Sequence, residues 1–527
     1  MSSLESVAVQ DVQVSKSRSV WLGAVLGVVV SGALALMARG IIDHVPLYDE
    51  LLHFLSARGL IATGHPAIAE GFYVRAQLFT RIVALFLEHD GATVVAARLP
   101  ALLFTMATAM LLAIWLTRRI GWWGGLVAAA IFALLPPTIE LAVFARFYTL
   151  HAFVVTIMAM LCYEASLPER TRRFRIVSAI AVLVLAALGL HLQDTTVIAV
   201  AAFAAGTVAV VAADRWDIVG PILRRYPIRI GLAAVAAVAA AIAVGTVLGL
   251  TQRLMEAPLW AMHAAHRPFF YLVAFADTMP FLWAIFPVVA VIAWFSQPRL
   301  TLFCLVALVA VFVVHSIAAQ KSIRYVYYIL PLYCVMWGCA AAGIAARLQS
   351  ADVQSTRLRE AGMAFLVAVT LALTVEGQRA VKLLLGRLTP HEALGYAVEA
   401  EWSPAVPSLQ PLVAAARHVV TSNAMKSIYY LGRYDYELNA SIVTETDTEE
   451  EFGRDERTGM QAIGTAASMD KVLRMPGTTL VVLETETLNL DSGVPTSAVA
   501  LIKERCVEIA LPPQAQLSAW QCQSLAD

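Results

Sequence analysis

The chain has 527 residues, and its 38 Lys+Arg balance 38 Asp+Glu, so the formal net charge is zero. Hydrophobic residues make up 59% and charged residues 14%, where a soluble domain carries about 45–50% and about 25%; the mean hydropathy is +0.72. These values exclude a soluble enzyme, a disordered chain and a nucleic-acid binder, which would carry a basic excess, and six cysteines exclude a disulfide-dense scaffold.

A mostly polar stretch, residues 1–19, precedes Trp21 without the short apolar core and small-residue site of a cleavable signal, so it reads as a cytoplasmic tail and the first span as a retained anchor. Apolar runs of roughly 20 residues, the length that crosses a hydrocarbon core, then fall at about 21–38, 98–117, 122–139, 147–164, 176–192, 195–213, 230–250, 271–295, 300–319, 327–346 and 361–375. The expected fold is a polytopic α-helical membrane protein of about eleven transmembrane helices, residues 20–375. Arg118 and Arg119, the run Arg170, Arg172, Arg173 and Arg175, the group Arg215, Arg224, Arg225 and Arg229, and Arg347, Arg357 and Arg359 all fall in short links. The positive-inside trend places these links in the cytoplasm. With eleven spans the C-terminus is external.

Residues 73–87 are apolar but contain Arg75, Gln77 and Arg81, with Glu88 following. An amphipathic helix at the outer interface suits them better than a twelfth span, which makes 39–97 one long external loop, a length that usually carries function. Beyond about Glu376 the apolar runs stop, and residues 376–527 suffice for one small external domain. Strands at 419–421, 479–483, 506–511 and 517–522 alternate with helices through Leu431, at 468–474 and at 496–504. That alternation predicts a small α/β layer. Cys506 and Cys522 are the only cysteines outside the spans and are a candidate disulfide in an oxidising compartment; Cys162, Cys304, Cys334 and Cys339 read as core packing.

The first external loop holds His44-Val45-Pro46-Leu47-Tyr48-Asp49-Glu50-Leu51-Leu52-His53. Adjacent carboxylates at the mouth of a helical bundle are costly without a use, and a partly desolvated one can serve as a general base. The same acids also suit the positive end of a helix starting near Leu51. Glu50 and His53 have the Glu-x-x-His spacing, but a carboxylate-bridged metal site needs that motif twice. No cofactor is predicted, and dependence on a divalent metal is left open.

Further along, Ala145-Arg146-Phe147-Tyr148 opens the fourth span after Pro136-Pro137-Thr138-Ile139-Glu140. Arg146 suits either a snorkelling anchor or a phosphate fork. Lys321-Ser322-Ile323-Arg324-Tyr325-Val326-Tyr327-Tyr328 places cations on the outer side, where an anionic lipid headgroup would account for them; its tyrosines alone read as an aromatic belt. The external loop 251–270 carries Arg253, Glu256, Trp260, His263, His266 and Arg267 without metal-ligand spacing. Asp194 and Asp277 are secondary acid candidates. A row of acids in mid-membrane, as in a proton-coupled transporter, is absent.

In this order, "YDELLH", "RLPALLFTMATAMLLAIWLTRRIG", "LLPPTIELAVFARFYTLHAF" and "KSIRYVYYILPLY" resemble the membrane glycosyltransferases of the GT-C fold. The resemblance is to the protein O-mannosyltransferases and the aminoarabinose transferases of lipid A, over roughly the first 345 residues. Ser427-Ile428-Tyr429-Tyr430-Leu431-Gly432-Arg433 resembles the start of the external domain in many of them.

The resemblance implies a bacterial inner-membrane enzyme that moves a sugar from a polyprenyl-phosphate donor to a lipid, protein or glycan acceptor. It implies an acid at Asp49 or Glu50 as catalytic base, with Arg146, Tyr148, Arg324 and Tyr325 matching the family's arginines and tyrosines at the outer ends of the fourth and a late span. Arg75, Arg81, Arg253, Arg267 and Lys321 are further candidates for the donor's phosphate. Many relatives have an acid two residues before the first arginine, where this chain has Phe144, and Glu140 is out of register to replace it. No glycine-rich phosphate loop opens a helix, which suits a lipid-linked donor. A flippase or other transporter of lipid-linked sugars explains the spans and outer cations but neither the acid pair nor the external domain. A polysaccharide ligase or polymerase shares the membrane architecture.

Overall fold

The computed structural model describes residues 2–226, 267–350, 400–445, 452–485 and 493–523, with isolated positions at 228, 246, 249, 362, 382 and 385. Seven helices are long and apolar enough to cross a membrane, and two bent helix pairs bring the total to as many as nine among the described residues. The chain is a multi-pass membrane protein. These nine segments coincide with nine of the eleven expected spans. The spans at 230–250 and 361–375, the loop residues from Arg253 to His266 and the boundary at Glu376 lie outside the described residues.

Helix α1, Ser2–Arg39, extends back through the polar tail. Helix α2 is Tyr48–Thr63, α3 is Gln77–Asp90, α4 is Val94–Ile120, α5 is Trp122–Leu134, α6 is Pro136–Ala142 and α7 is Tyr148–Ser166.

Two expected spans are broken rather than straight. The segment 122–139 bends by 66° between α5 and α6, and 271–295 bends by 111° between Phe270–Thr278 and Pro280–Ser296. In each, the residue before a proline leaves the helical region: Leu135 has φ −59 and ψ 130, Met279 φ −143 and ψ 62. Proline's ring clashes with a helical residue in front of it. The expected amphipathic helix at 73–87 begins later, at Gln77, because Ala76 sits in the left-handed region at φ 50. It buries Phe79, Thr80, Val83, Ala84 and Leu87 on one face.

By internal contacts the chain divides into two units. One comprises Met1–Ile42, Ala101–Val143 and Phe147–Leu394; the other comprises Asp43–Pro100, Phe144–Arg146 and Gly395–Asp527. The first unit is the helical bundle. Its helix α5 packs closely on Leu330–Ser350: a Cβ on Gly338 would stand 2.6 Å from the carbonyl oxygen of Gly124. Small residues at such crossings let backbones approach in lipid, where apolar burial gives little drive. Helix Arg172–Leu192 exposes Ile176, Val177, Ile180, Leu183 and Val184, as a lipid-facing surface does.

In the second unit the first loop, residues 43–100, belongs with the C-terminal residues. The loop holds a two-stranded hairpin, β1 (Ala67–Ile68) and β2 (Gly71–Phe72). The C-terminal part is an α/β layer with seven strands. They are β3 (His418–Thr421), β4 (Tyr436–Leu438), β5 (Phe452–Arg454), β6 (Gln461–Ile463), β7 (Thr479–Glu484), β8 (Val507–Ile509) and β9 (Leu517–Cys522), in the order β5-β6-β4-β3-β7-β9-β8. Strands β6, β4, β3 and β7 run parallel, and β5, β8 and β9 pair antiparallel with their neighbours. Strand β7 is buried along its length, as a strand covered on both faces must be. Val420, Leu438, Val481 and Trp520 meet Met469, Val472 and Ile502 in its core. Cys506 is joined to Cys522.

Candidate active site

Helix α2 begins at the acid pair, and its first turn separates the two carboxylates. Glu50, third in the helix, turns back to accept the Leu47 backbone N–H at 3.0 Å. Its other lone pairs are also taken: Arg98 Nε donates to Oε1 at 2.8 Å, Arg98 Nη2 to Oε2 at 2.6 Å, and the Ala145 N–H to Oε1 at 2.8 Å. The Glu50 side chain is 1% exposed and that of Arg98 0%. Burial is the largest single influence and would raise the carboxyl, but the charge and hydrogen bonds of Arg98, with His44 and the Leu47 N–H, together hold it below the usual range. A carboxylate with every acceptor position occupied is a poor proton acceptor, so Glu50 is a tie between the loop, the start of α4 and the turn before α7.

Asp49 is different. Its side chain is 31% exposed. The buried Arg146 donates through Nη1 to the Asp49 carbonyl oxygen at 3.0 Å and to the Tyr73 hydroxyl at 3.0 Å, and its Nη2 stands 3.9 Å from Asp49 Oδ1. Tyr73 is braced by His53, whose ring meets it edge-on at 5.1 Å. His53 also shares a hydrogen bond with Thr80 at 2.9 Å. Burial, with Arg146 and Arg75 nearby, pushes the His53 imidazole well below its ordinary value, so it stays neutral. Glu50 and His53 therefore serve different partners. Among the described residues, no three His, Cys, Asp or Glu side chains gather as metal ligands would.

Arg75 and Arg81 are exposed members of the same unit. In the bundle unit, buried Tyr148 lies 6.4 Å, ring to ring, from Tyr325. Arg324 lies over the Tyr325 ring at 5.9 Å, and Lys321 Nζ donates to the Ala318 carbonyl at 2.7 Å. Arg267, Asp194 and Asp277 are exposed.

Several partners escaped the sequence reading. Arg98 is the lone charge in the apolar run at the start of α4, a signal that was available; Tyr73 carried none. In the bundle, His151 shares a hydrogen bond with Thr196 at 2.8 Å and His315 with Tyr328 at 3.1 Å, with the His151 and Tyr328 rings 5.2 Å apart.

A polytopic helical bundle with a first loop that carries paired acids, and a C-terminal α/β layer, defines a membrane protein of GT-C-type fold. Among solved structures the chain is similar to ArnT from Cupriavidus metallidurans bound to undecaprenyl phosphate, at 13% identity and TM-score 0.61 over 94% of this chain and 97% of that one. The apo form of ArnT matches at 16% identity and TM-score 0.59 over the same shares. The archaeal oligosaccharyltransferase AglB from Archaeoglobus fulgidus, in complex with an inhibitory peptide and a dolichol-phosphate, matches at 12% identity and TM-score 0.55, over 95% of this chain and 74% of that one. No protein-family model matches the sequence, and no curated protein matches it. At these identities the likeness is one of fold.

Proposed function

We propose that the chain is an inverting glycosyltransferase of a bacterial inner membrane, moving a sugar from a polyprenyl-phosphate donor to an acceptor on the external face. The observation that carries this reading is the division of labour in the acid pair. Glu50 is saturated and buried, while Asp49 keeps a partly exposed carboxylate backed by a buried, doubly anchored arginine. The likeness in fold to a protein crystallised with undecaprenyl phosphate supports the donor class.

In this mechanism the acceptor's hydroxyl or amine attacks the anomeric carbon, and the bond from that carbon to the phosphate oxygen breaks. Asp49 takes the acceptor's proton and the departing electron pair stays on the lipid phosphate. Cations already in place where negative charge grows lower the barrier, a role assigned to Arg146; Arg324 and Lys321, in the bundle unit, are separate candidates for the donor's phosphate. Tyr148 and Tyr325 are further candidates in that unit, with Tyr325 beneath Arg324. Arg75, Arg81 and Arg267 are exposed and remain available to guide anionic headgroups. A single displacement inverts the anomeric configuration. The N-terminus is cytoplasmic and the C-terminal domain external in this scheme.

The test is turnover of undecaprenyl-phosphate-linked sugars by the full-length protein in nanodiscs, with the product anomer read by NMR. Asp49→Asn is expected to lower the rate by about 100-fold or more with its melting temperature unchanged. Full activity in that variant removes Asp49 as the base, and translocation of the lipid without transfer overturns the transferase reading.

A further inference from the structure

The segment that carries Asp49 is gripped from the C-terminal domain as well as from its own loop. Tyr48, the first residue of α2, lies beneath the guanidinium of Arg457, whose Cζ stands 5.5 Å from the ring centroid. Arg457 is in turn fixed by Asp455, itself 3% exposed. Its Nε donates to Asp455 Oδ1 at 2.8 Å, its Nη2 to Oδ2 at 3.2 Å, and its backbone N–H to Oδ1 at 3.0 Å. Tyr434 shares a hydrogen bond of 2.6 Å with Thr458 in the same turn.

The 455–459 turn meets the first loop a second time, at the β1–β2 hairpin. The Glu70 N–H donates to the Thr458 carbonyl at 2.8 Å. There is no room for a side chain at this crossing: a Cβ on Gly71 would lie 2.5 Å from the Gly459 nitrogen, and one on Gly459 would lie 2.6 Å from the Glu70 carbonyl carbon. This backbone crossing already fastens the turn to the loop. The Asp455–Arg457 pair is not needed for that fastening: Asp455 is buried, while the Arg457 side chain is 37% exposed and its guanidinium lies over Tyr48, the residue beside the candidate base.

We propose that Arg457 is a positioning residue of the transfer reaction: held by Asp455, it clamps Tyr48 and so sets the direction in which Asp49 presents its carboxylate. The proposal rests on the reading of Asp49 as the base. It makes the 455–459 turn part of the active centre rather than of a detached cap. Side chains are held in productive geometry by their supports, and a displacement of about 1 Å costs about 100-fold in rate. Leu47 caps α2 without a side-chain hydrogen bond of its own, so the first turn depends on Glu50 behind it and Arg457 over Tyr48. Glu437, Asp455, Arg457 and Tyr434 are the groups that bear on Tyr48. Burial, with Asp455 nearby, lifts the Glu437 carboxyl to about 8, so near neutrality it adds no competing charge beside the guanidinium.

The test uses full-length protein in nanodiscs, with two readouts on Arg457→Ala, Arg457→Lys, Tyr48→Leu and Tyr48→Phe. The first is amide exchange over residues 44–52. It is expected to quicken by about tenfold or more in Arg457→Ala and Tyr48→Leu while β3 and β7 keep their protection, and to stay near wild type in Arg457→Lys and Tyr48→Phe. The second is turnover with undecaprenyl-phosphate-linked sugars and binding of undecaprenyl phosphate alone. In Arg457→Ala kcat is expected to fall by about 100-fold with donor KM and undecaprenyl phosphate affinity within about twofold, and Arg457→Lys to recover most of it. Unchanged exchange and kcat in Arg457→Ala overturn the proposal, and so does a loss that tracks global melting of the domain. If the wild-type protein turns over no donor, the transferase reading fails, and the exchange readout alone decides whether Arg457 holds the Tyr48–Asp49 segment.

Discussion

The bundle and the unit built from residues 43–100 with the C-terminal domain differ in how many charged groups they bury. In the bundle, the buried polar side chains are mostly neutral, with Glu164 and Lys321 the charged ones among the described residues. Thr105 and Thr156 donate to carbonyls four residues back, and His151 and His315 pair with a threonine and a tyrosine. In the second unit more of the buried groups are charged, and some find partners distant in sequence: Glu50 with Arg98, and Lys426 Nζ with Glu484 at 3.1 Å. A hydrocarbon surround offers no water to a mismatched charge. The unit proposed to lie outside the bilayer has room for charges and spends them around Asp49.

That contrast is sharpest at Arg98. Arg98→Ala strands a buried carboxylate and is expected to cost about 3–5 kcal/mol, read by chemical or thermal unfolding. A loss no larger than that of a surface substitution would mean that Glu50 is not an essential tie.

Glu437 gives the next effect, with a defined sign. Its carboxyl is raised in the folded protein to about 8 by burial and then by Asp455, so the folded state holds a proton that the unfolded state releases. Stability from this group is full below the ordinary carboxylate range and falls as pH rises toward about 8. Glu437→Gln is expected to flatten that decline between pH about 5 and about 8. Parallel melting-temperature profiles for wild type and variant would contradict it.

On the bundle side, Gly338→Ala pushes a methyl against the Gly124 carbonyl and is expected to cost about 1–3 kcal/mol. Tyr328→Phe removes the hydroxyl that His315 shares, and the expected loss is smaller, about 0.6 kcal/mol. If Tyr328→Phe proved as damaging as Arg98→Ala in the same unfolding assay, the distinction between neutral and charged burial would collapse.

Much of the bundle was legible beforehand because each span is a local property of about 20 residues. Nine expected spans meet helical segments, but the breaks at Pro136 and Pro280 were not anticipated in two of them. The strands at 479–483 and 517–522 were legible for the same local reason, whereas β4, β5 and β6, three residues each, were too short to stand out. At the acid pair, composition and spacing marked Asp49 and Glu50 alike. Their separation depends on Arg98, 48 residues away, and on the Ala145 N–H, 95 residues away. The charged run Arg454-Asp455-Glu456-Arg457 carries no site signal in sequence, yet Asp455 is buried and Arg457 reaches Tyr48.

The sequence by itself determined that this chain crosses a membrane repeatedly, carries acids and cations in loops between spans, and ends in a small α/β layer. Those properties follow from hydropathy and periodicity, which act within a window of residues. Only the tertiary structure decided that Glu50 is buried against Arg98 while Asp49 is partly exposed, and that the first loop and the C-terminal residues form one unit. Desolvation and ion pairing depend on what surrounds a side chain in space, and here the surroundings come from segments up to about 400 residues apart.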